Sequence, residues 1–164
     1  MTGAAGTRGR GLLGALVPAW LIAGTLDIGI ASTWYPLTAG AHVLRIYQGI
    51  ASGILGARAF DGGLATAALG LACHYLIALI WTAIYFLAYP RLPLLRRGRS
   101  ASAVLYGCFV SAAMTFIVLP LSNVGPRPFR LQPFVIATVI LIIAIGTPLA
   151  ILADHHYARR AATR

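Results

Sequence analysis

The chain alternates between long apolar runs and short polar joints, and the runs set its architecture. Leu12 to Tyr35, Leu64 to Tyr89, Ala101 to Leu121 and Leu131 to Ala153 are apolar almost throughout. Each meets the roughly 20 residues a helix needs to cross about 30 Å of hydrocarbon. In lipid only a helix or a closed barrel satisfies its own backbone groups, and these runs are too long and unalternating for barrel strands. The pattern predicts an all-α, four-helix transmembrane bundle, a single domain over residues 1–164. Arg8 and Arg10 before the first run resemble the start of a secretory leader. The run is too long for one and no small-residue cleavage site follows, so it is read as a retained span.

The joints carry most of the remaining pattern. The first, Leu37 to Gly63, is longer than a turn. On a helical wheel Val43, Ile46, Tyr47, Ile50 and Ile54 share one face, and His42, Arg45, Gln48 and Ser52 the other. That spacing predicts an amphipathic helix from about Ala41 to Leu55, lying in the outer interface or folded into the bundle mouth. Gly49, Gly53 and Gly56 fall on one edge, where another helix has room to approach. The segment reads first as a structural lid, with His42 and Arg45 as candidate lipid or anion contacts. The third joint, LPLSNVGPRPFRLQPF, carries Pro120, Pro126, Pro128 and Pro133, which predict a stiff non-helical turn. Arg127 and Arg130 flank Phe129 there and are the second pair of candidate lipid or anion contacts, snorkelling to phosphates.

Composition fixes the solvent. Of 164 residues 59% are hydrophobic and 10% charged, and mean hydropathy is +0.83. A soluble domain carries about 25% charged residues, so this chain belongs in a bilayer. All thirteen basic residues are arginine and the net charge is +10. The arginines border apolar runs and form no patch with interleaved aromatics, so lipid rather than nucleic acid is the expected partner. Nine of them sit in the N-terminal arm, the second joint and the C-terminal tail, against four in the first and third joints. Positive charge collects on the cytoplasmic side, so both termini are expected there. Abundant Ala and Arg without Lys point to a GC-rich bacterial genome and thus to the inner membrane.

Little in the sequence offers chemistry. Cys73 and Cys108 lie inside apolar runs and are expected as buried, packed thiols rather than a disulfide or metal pair. There is no phosphate-cradling glycine loop, no H-E-x-x-H helix and no serine nucleophile elbow, so no enzyme is expected. His155 and His156 follow Asp154 at the end of the fourth run. Adjacent helical residues point about 100° apart, which suits an interfacial cluster better than a shared metal. A haem between spans wants two intramembrane histidines, and His74 alone qualifies. No cofactor and no metal are expected.

Asp27 is the exception. It lies inside AWLIAGTLDIGIASTWYP, in a chain with three acids in all. An acid at mid-membrane costs about 2.5–3.5 kcal/mol on insertion scales, so it faces inward and finds a partner. At 1.5 Å per residue it lies roughly 12 Å below Tyr35, and His74 lies roughly 15 Å below Leu64 on the antiparallel second span. Similar depth predicts an intramembrane polar pair, Asp27 with His74, joined directly, through water, or through a hydroxyl such as Ser111. The competing account is a protonated Asp27 bonded to a backbone carbonyl or threonine as interhelical glue.

Residues 21–24 (LIAG), the histidine of the second span, Tyr106-Gly107 before Cys108, and LPLSNVGPRPF after the third span together resemble the YagU-like family of uncharacterised bacterial inner-membrane proteins. The resemblance runs from about Leu21 to Pro133. It implies a multi-span inner-membrane protein without assigned chemistry, and the amphipathic segment stands where that family carries a soluble-looking insert. Two functions fit the sequence, the first preferred and the second its alternative. One is a small accessory or assembly subunit of a membrane complex, docked through Ala65, Ala67, Ala68, Gly70 and Ala72 of the second span. The other is a small homo-oligomeric transporter or proton-linked permease using Asp27 and His74.

Overall fold

The computed structural model describes residues 11–125 and 128–162. Arg8, Arg10, Pro126, Arg127 and Arg164 lie outside the described residues. The described residues form helices and no strand, and four helices are long and apolar enough to cross a membrane. Span 1 is Leu12–Ala39, span 2 Gly63–Ala88, span 3 Arg99–Leu121 and span 4 Leu131–Ala162. A short helix, Val43–Leu55, joins spans 1 and 2. Span 1 runs past Tyr35 through Pro36 and stops at Gly40, whose φ of 62° turns the chain and lets its N–H reach the Pro36 carbonyl at 3.1 Å.

One end of the bundle is tied by polar contacts between the second joint and the tail. Asp154 accepts from the Tyr89 hydroxyl at 3.0 Å and from Arg99 Nε at 2.8 Å. Tyr157 donates to the Phe86 carbonyl at 2.7 Å. His156 turns inward beside Phe86 while His155 stays exposed, the divergence that adjacent helical positions dictate.

Toward the middle, spans 2, 3 and 4 pack aromatic and small residues together. Tyr85 and Phe86 are fully buried, with the Tyr85 hydroxyl 2.6 Å from Ser102 Oγ. Tyr106 donates to the Trp81 carbonyl at 2.5 Å. Spans 3 and 4 meet backbone to backbone: a Cβ on Gly107 would lie 2.6 Å from Ile142 Cα, and one on Gly146 2.2 Å from the Ala103 carbonyl oxygen. Without a hydrophobic force between helices in lipid, such close approach is what packing requires.

Three expectations are corrected here. Pro120 and Pro133 lie within helical ends rather than in the turn. Pro133 sits in the first turn of span 4, where a missing N–H removes no intrahelical bond. Pro120 is carried by a wide π turn over Met114–Val118, in which the Leu119 N–H bonds back five residues to Met114. Span 4 repeats the device: Ile142–Gly146 is a π turn, Thr147 bonds back to Ile142, and Pro148 follows. A proline ring collides with the carbonyl four residues earlier, and a widened turn moves that carbonyl aside. Cys108 is exposed on span 3 and Cys73 half-buried, so neither is the fully buried thiol expected; Cys108 falls on a helix face turned away from the protein. Ser111 bonds Thr138 at 2.7 Å, across spans 3 and 4, and is no bridge to Asp27.

Candidate functional site

The site begins with the short helix. His42 caps it, its Nδ1 accepting from the Leu44 N–H at 3.3 Å. Gln48 Nε2 donates to the Gly63 carbonyl at 3.1 Å, and Ser52 bonds back to the Gly49 carbonyl at 2.7 Å. Both are buried, so the polar half of the wheel is split. His42 and Arg45 face outward, while Gln48 and Ser52 face the protein and donate to backbone carbonyls there. The helix presses hardest at Gly70 of span 2, where a Cβ would lie 1.9 Å from the Tyr47 carbonyl oxygen.

The far end is held by the turn after span 3. Asn123 donates its N–H to the Gly53 carbonyl at 2.9 Å and its side-chain amide to the Ile54 carbonyl. Gly53 and Gly56 therefore meet Ser122 and Asn123, and Gly49 meets nothing, so the edge expected to receive a helix receives a turn. His42 and Arg45 are engaged apart from one another: His42 in the cap, Arg45 with its guanidinium 5.7 Å from the Phe60 ring centroid. Arg130 is exposed at the start of span 4.

Spans 1 and 2 meet at Gly24. Its bare Cα admits the Tyr75 ring, which a Cβ would meet at 3.1 Å. Trp20 Nε1 donates to the Tyr75 carbonyl at 2.7 Å, and Thr25 Oγ1 lies 2.9 Å from the Tyr75 hydroxyl. This seating brings His74 Nε2 to 2.8 Å from the Gly24 carbonyl oxygen, and His74 Nδ1 to 4.0 Å from Asp27 Oδ2.

The first of those contacts assigns the tautomer. A carbonyl only accepts, so Nε2 carries the hydrogen and Nδ1 is the atom turned to Asp27. A single further proton, on Oδ2 or on Nδ1, makes the pair neutral. None leaves a net negative charge in an apolar wall, and two leave a net positive one; both are costly at this depth. At 4.0 Å the separation exceeds a hydrogen bond, so no direct hydrogen bond joins the two groups.

The pair opens into a half-enclosed cavity of about 250 Å³. Span 1 contributes Asp27, Ile28, Ala31 and Tyr35, and span 2 His74, Ile77, Ala78 and Trp81. Ile46 and Ile50 of the short helix, Val110 and Met114 of span 3, and Leu141 and Ile145 of span 4 complete it. The four spans and the short helix each supply part of the wall. Helical rise places Asp27 and His74 at one depth, but nothing in a linear pattern joins Ile46, Met114 and Leu141 to them. The glycines that permit the meeting, Gly24 and Gly70, were the available signal.

Four apolar helices about an inward-facing acid define an integral, multi-pass membrane protein. No family model, curated protein or solved structure matches the chain. The YagU-like resemblance therefore rests on its quoted motifs alone.

Proposed function

We propose that the chain is a small, non-enzymatic carrier of the bacterial inner membrane, both termini cytoplasmic, acting as a homo-oligomeric, proton-linked permease. One observation carries the reading: the Asp27–His74 pair lies in the wall of an apolar cavity lined by the four spans and the short helix. Interhelical glue has no use for a cavity at its acid. Four spans enclose one site but no complete path, so a second copy supplies the rest of the pathway.

The accessory-subunit reading draws on small residues of span 2. Gly70 and Ala67 of that stretch are buried, Gly70 beneath the short helix, which leaves Ala65, Ala68 and Ala72 facing outward for a neighbour. Purification in mild detergent with mass spectrometry separates the two. The carrier reading expects a homo-oligomer that, in proteoliposomes supplied with an exchangeable solute, moves protons in step with that solute and loses this with Asp27→Asn. Stoichiometric co-purification of unrelated subunits, with no homo-oligomer, replaces it with the accessory role.

A further inference from the structure

We propose that the cavity binds a monovalent organic cation with a small apolar body, held at the Asp27 carboxylate and exchanged for the single proton of the Asp27–His74 pair. The proposal deepens the carrier reading and rests on it for the purpose of the exchange, but binding is measurable without transport.

Charge and geometry select the cation. His74 has committed Nε2–H to the Gly24 carbonyl, so an anion has only Nδ1 to approach. The Asp27 carboxyl stands 4.0 Å in front of that atom, and among the described residues no arginine lines the cavity. A cation meets no such obstacle. Removing the shared proton leaves the carboxylate and a neutral imidazole, a net charge of −1 that a +1 ligand restores to zero. The balance is one cation in, one proton out to solvent, with no bond made or broken besides that proton's. Trp81 and Tyr35 add aromatic rings to the wall, and ring faces attract cations most where water is excluded.

Size narrows the class. A dry cavity of about 150 Å³ accommodates benzene. One of about 250 Å³ has room for a single ring and a compact ammonium head.

The exchange depends on pH, and the groups able to compete for the proton are few. Span 1 offers Asp27 and Tyr35 to the cavity, and span 2 offers His74. The short helix, span 3 and span 4 present Ile46, Ile50, Val110, Met114, Leu141 and Ile145, none of which titrates. Tyr75 touches the His74 ring edge-on, but its hydroxyl pairs with Thr25.

The test uses benzyltrimethylammonium and its uncharged carbon isostere, neopentylbenzene, on the full chain in nanodiscs. Calorimetry in two buffers of different ionisation enthalpy reads the protons released. The cation should bind more tightly as pH rises, releasing one proton per ligand, and the isostere should release none. Asp27→Asn should weaken cation binding at least about 30-fold, as loss of one partner of a buried charge pair does, and leave the isostere unchanged. Should that variant fail to fold, Trp81→Leu serves: it should weaken the cation more than the isostere at an unchanged proton count. Equal affinity for both compounds, or cation binding without proton release, overturns the proposal. Proton-coupled binding with no flux in proteoliposomes overturns the carrier reading and leaves the ligand class standing.

Discussion

The Tyr47 carbonyl oxygen occupies the space beside Gly70: a Cβ there would lie 1.9 Å from it and 2.7 Å from its carbon. Backbone cannot yield as a flexible side chain does, so Gly70→Ala must lift the short helix off span 2. That motion withdraws Ile46 and Ile50 from the cavity wall. The expected loss is on the order of 2 kcal/mol, the cost of overpacking a close contact. Gly49→Ala in the same helix meets nothing within 4 Å and should be neutral or stabilising by up to about 1 kcal/mol. Thermal unfolding in detergent compares the two, and equal midpoints would refute this seating.

Spans 3 and 4 should be equally intolerant at their crossing. Gly107→Ala and Gly146→Ala each place a methyl against backbone, at Ile142 and Ala103 respectively. Each should cost about 1–3 kcal/mol. Because both act on one crossing, the double variant should cost less than the sum of the singles. Strict additivity in a double-mutant cycle would mean the two glycines relieve separate contacts.

The tautomer of His74 is directly measurable. With Nε2–H donated to Gly24, nitrogen-15 spectra of the neutral ring should show the hydrogen on Nε2. Neutral rings carrying it on Nδ1 would contradict the geometry. His74→Ala leaves the Gly24 carbonyl without this partner and should cost about 1–3 kcal/mol. Asp27→Asn removes the titrating proton but no packing and should stay within about 1 kcal/mol of the parent while proton-linked activity is lost.

At the other end, Arg99 and Asp154 form an ion pair whose side chains are 54% and 36% exposed. Exposure makes it weak: Arg99→Ala should change stability by about 0–1 kcal/mol, with the difference shrinking as salt is added. A salt-independent loss larger than that would assign Arg99 a packing role.

The spans were legible because lipid leaves the backbone one solution, and run length then locates them. Asp27 and His74 were legible as neighbours because helical rise converts residue number into depth. Facing was harder. The wheel grouped Gln48 with Arg45, yet Gln48 turns inward because the Gly63 carbonyl at the start of span 2 offers it a partner. Ser111 had a plausible depth for Asp27, but Thr138 stands closer, and no single-helix pattern reports which neighbour a hydroxyl will meet. Cys108 was misjudged for a related reason: an apolar run in a membrane has as much reason to face lipid as protein.

The π turns reach furthest into how these spans can be wound. Each slots one residue more than the α repeat holds into its helix, so the stretches before and after it fall out of step by about 100°. Thr138 faces Ser111 below the widened turn of span 4, and Leu149 and Ala153 enter the core above it. Regular winding through Ile142–Gly146 would swing one set away and drive the Pro148 ring into a carbonyl. The proline thus works as a ratchet pawl, holding the span to one rotational setting as it threads the bilayer.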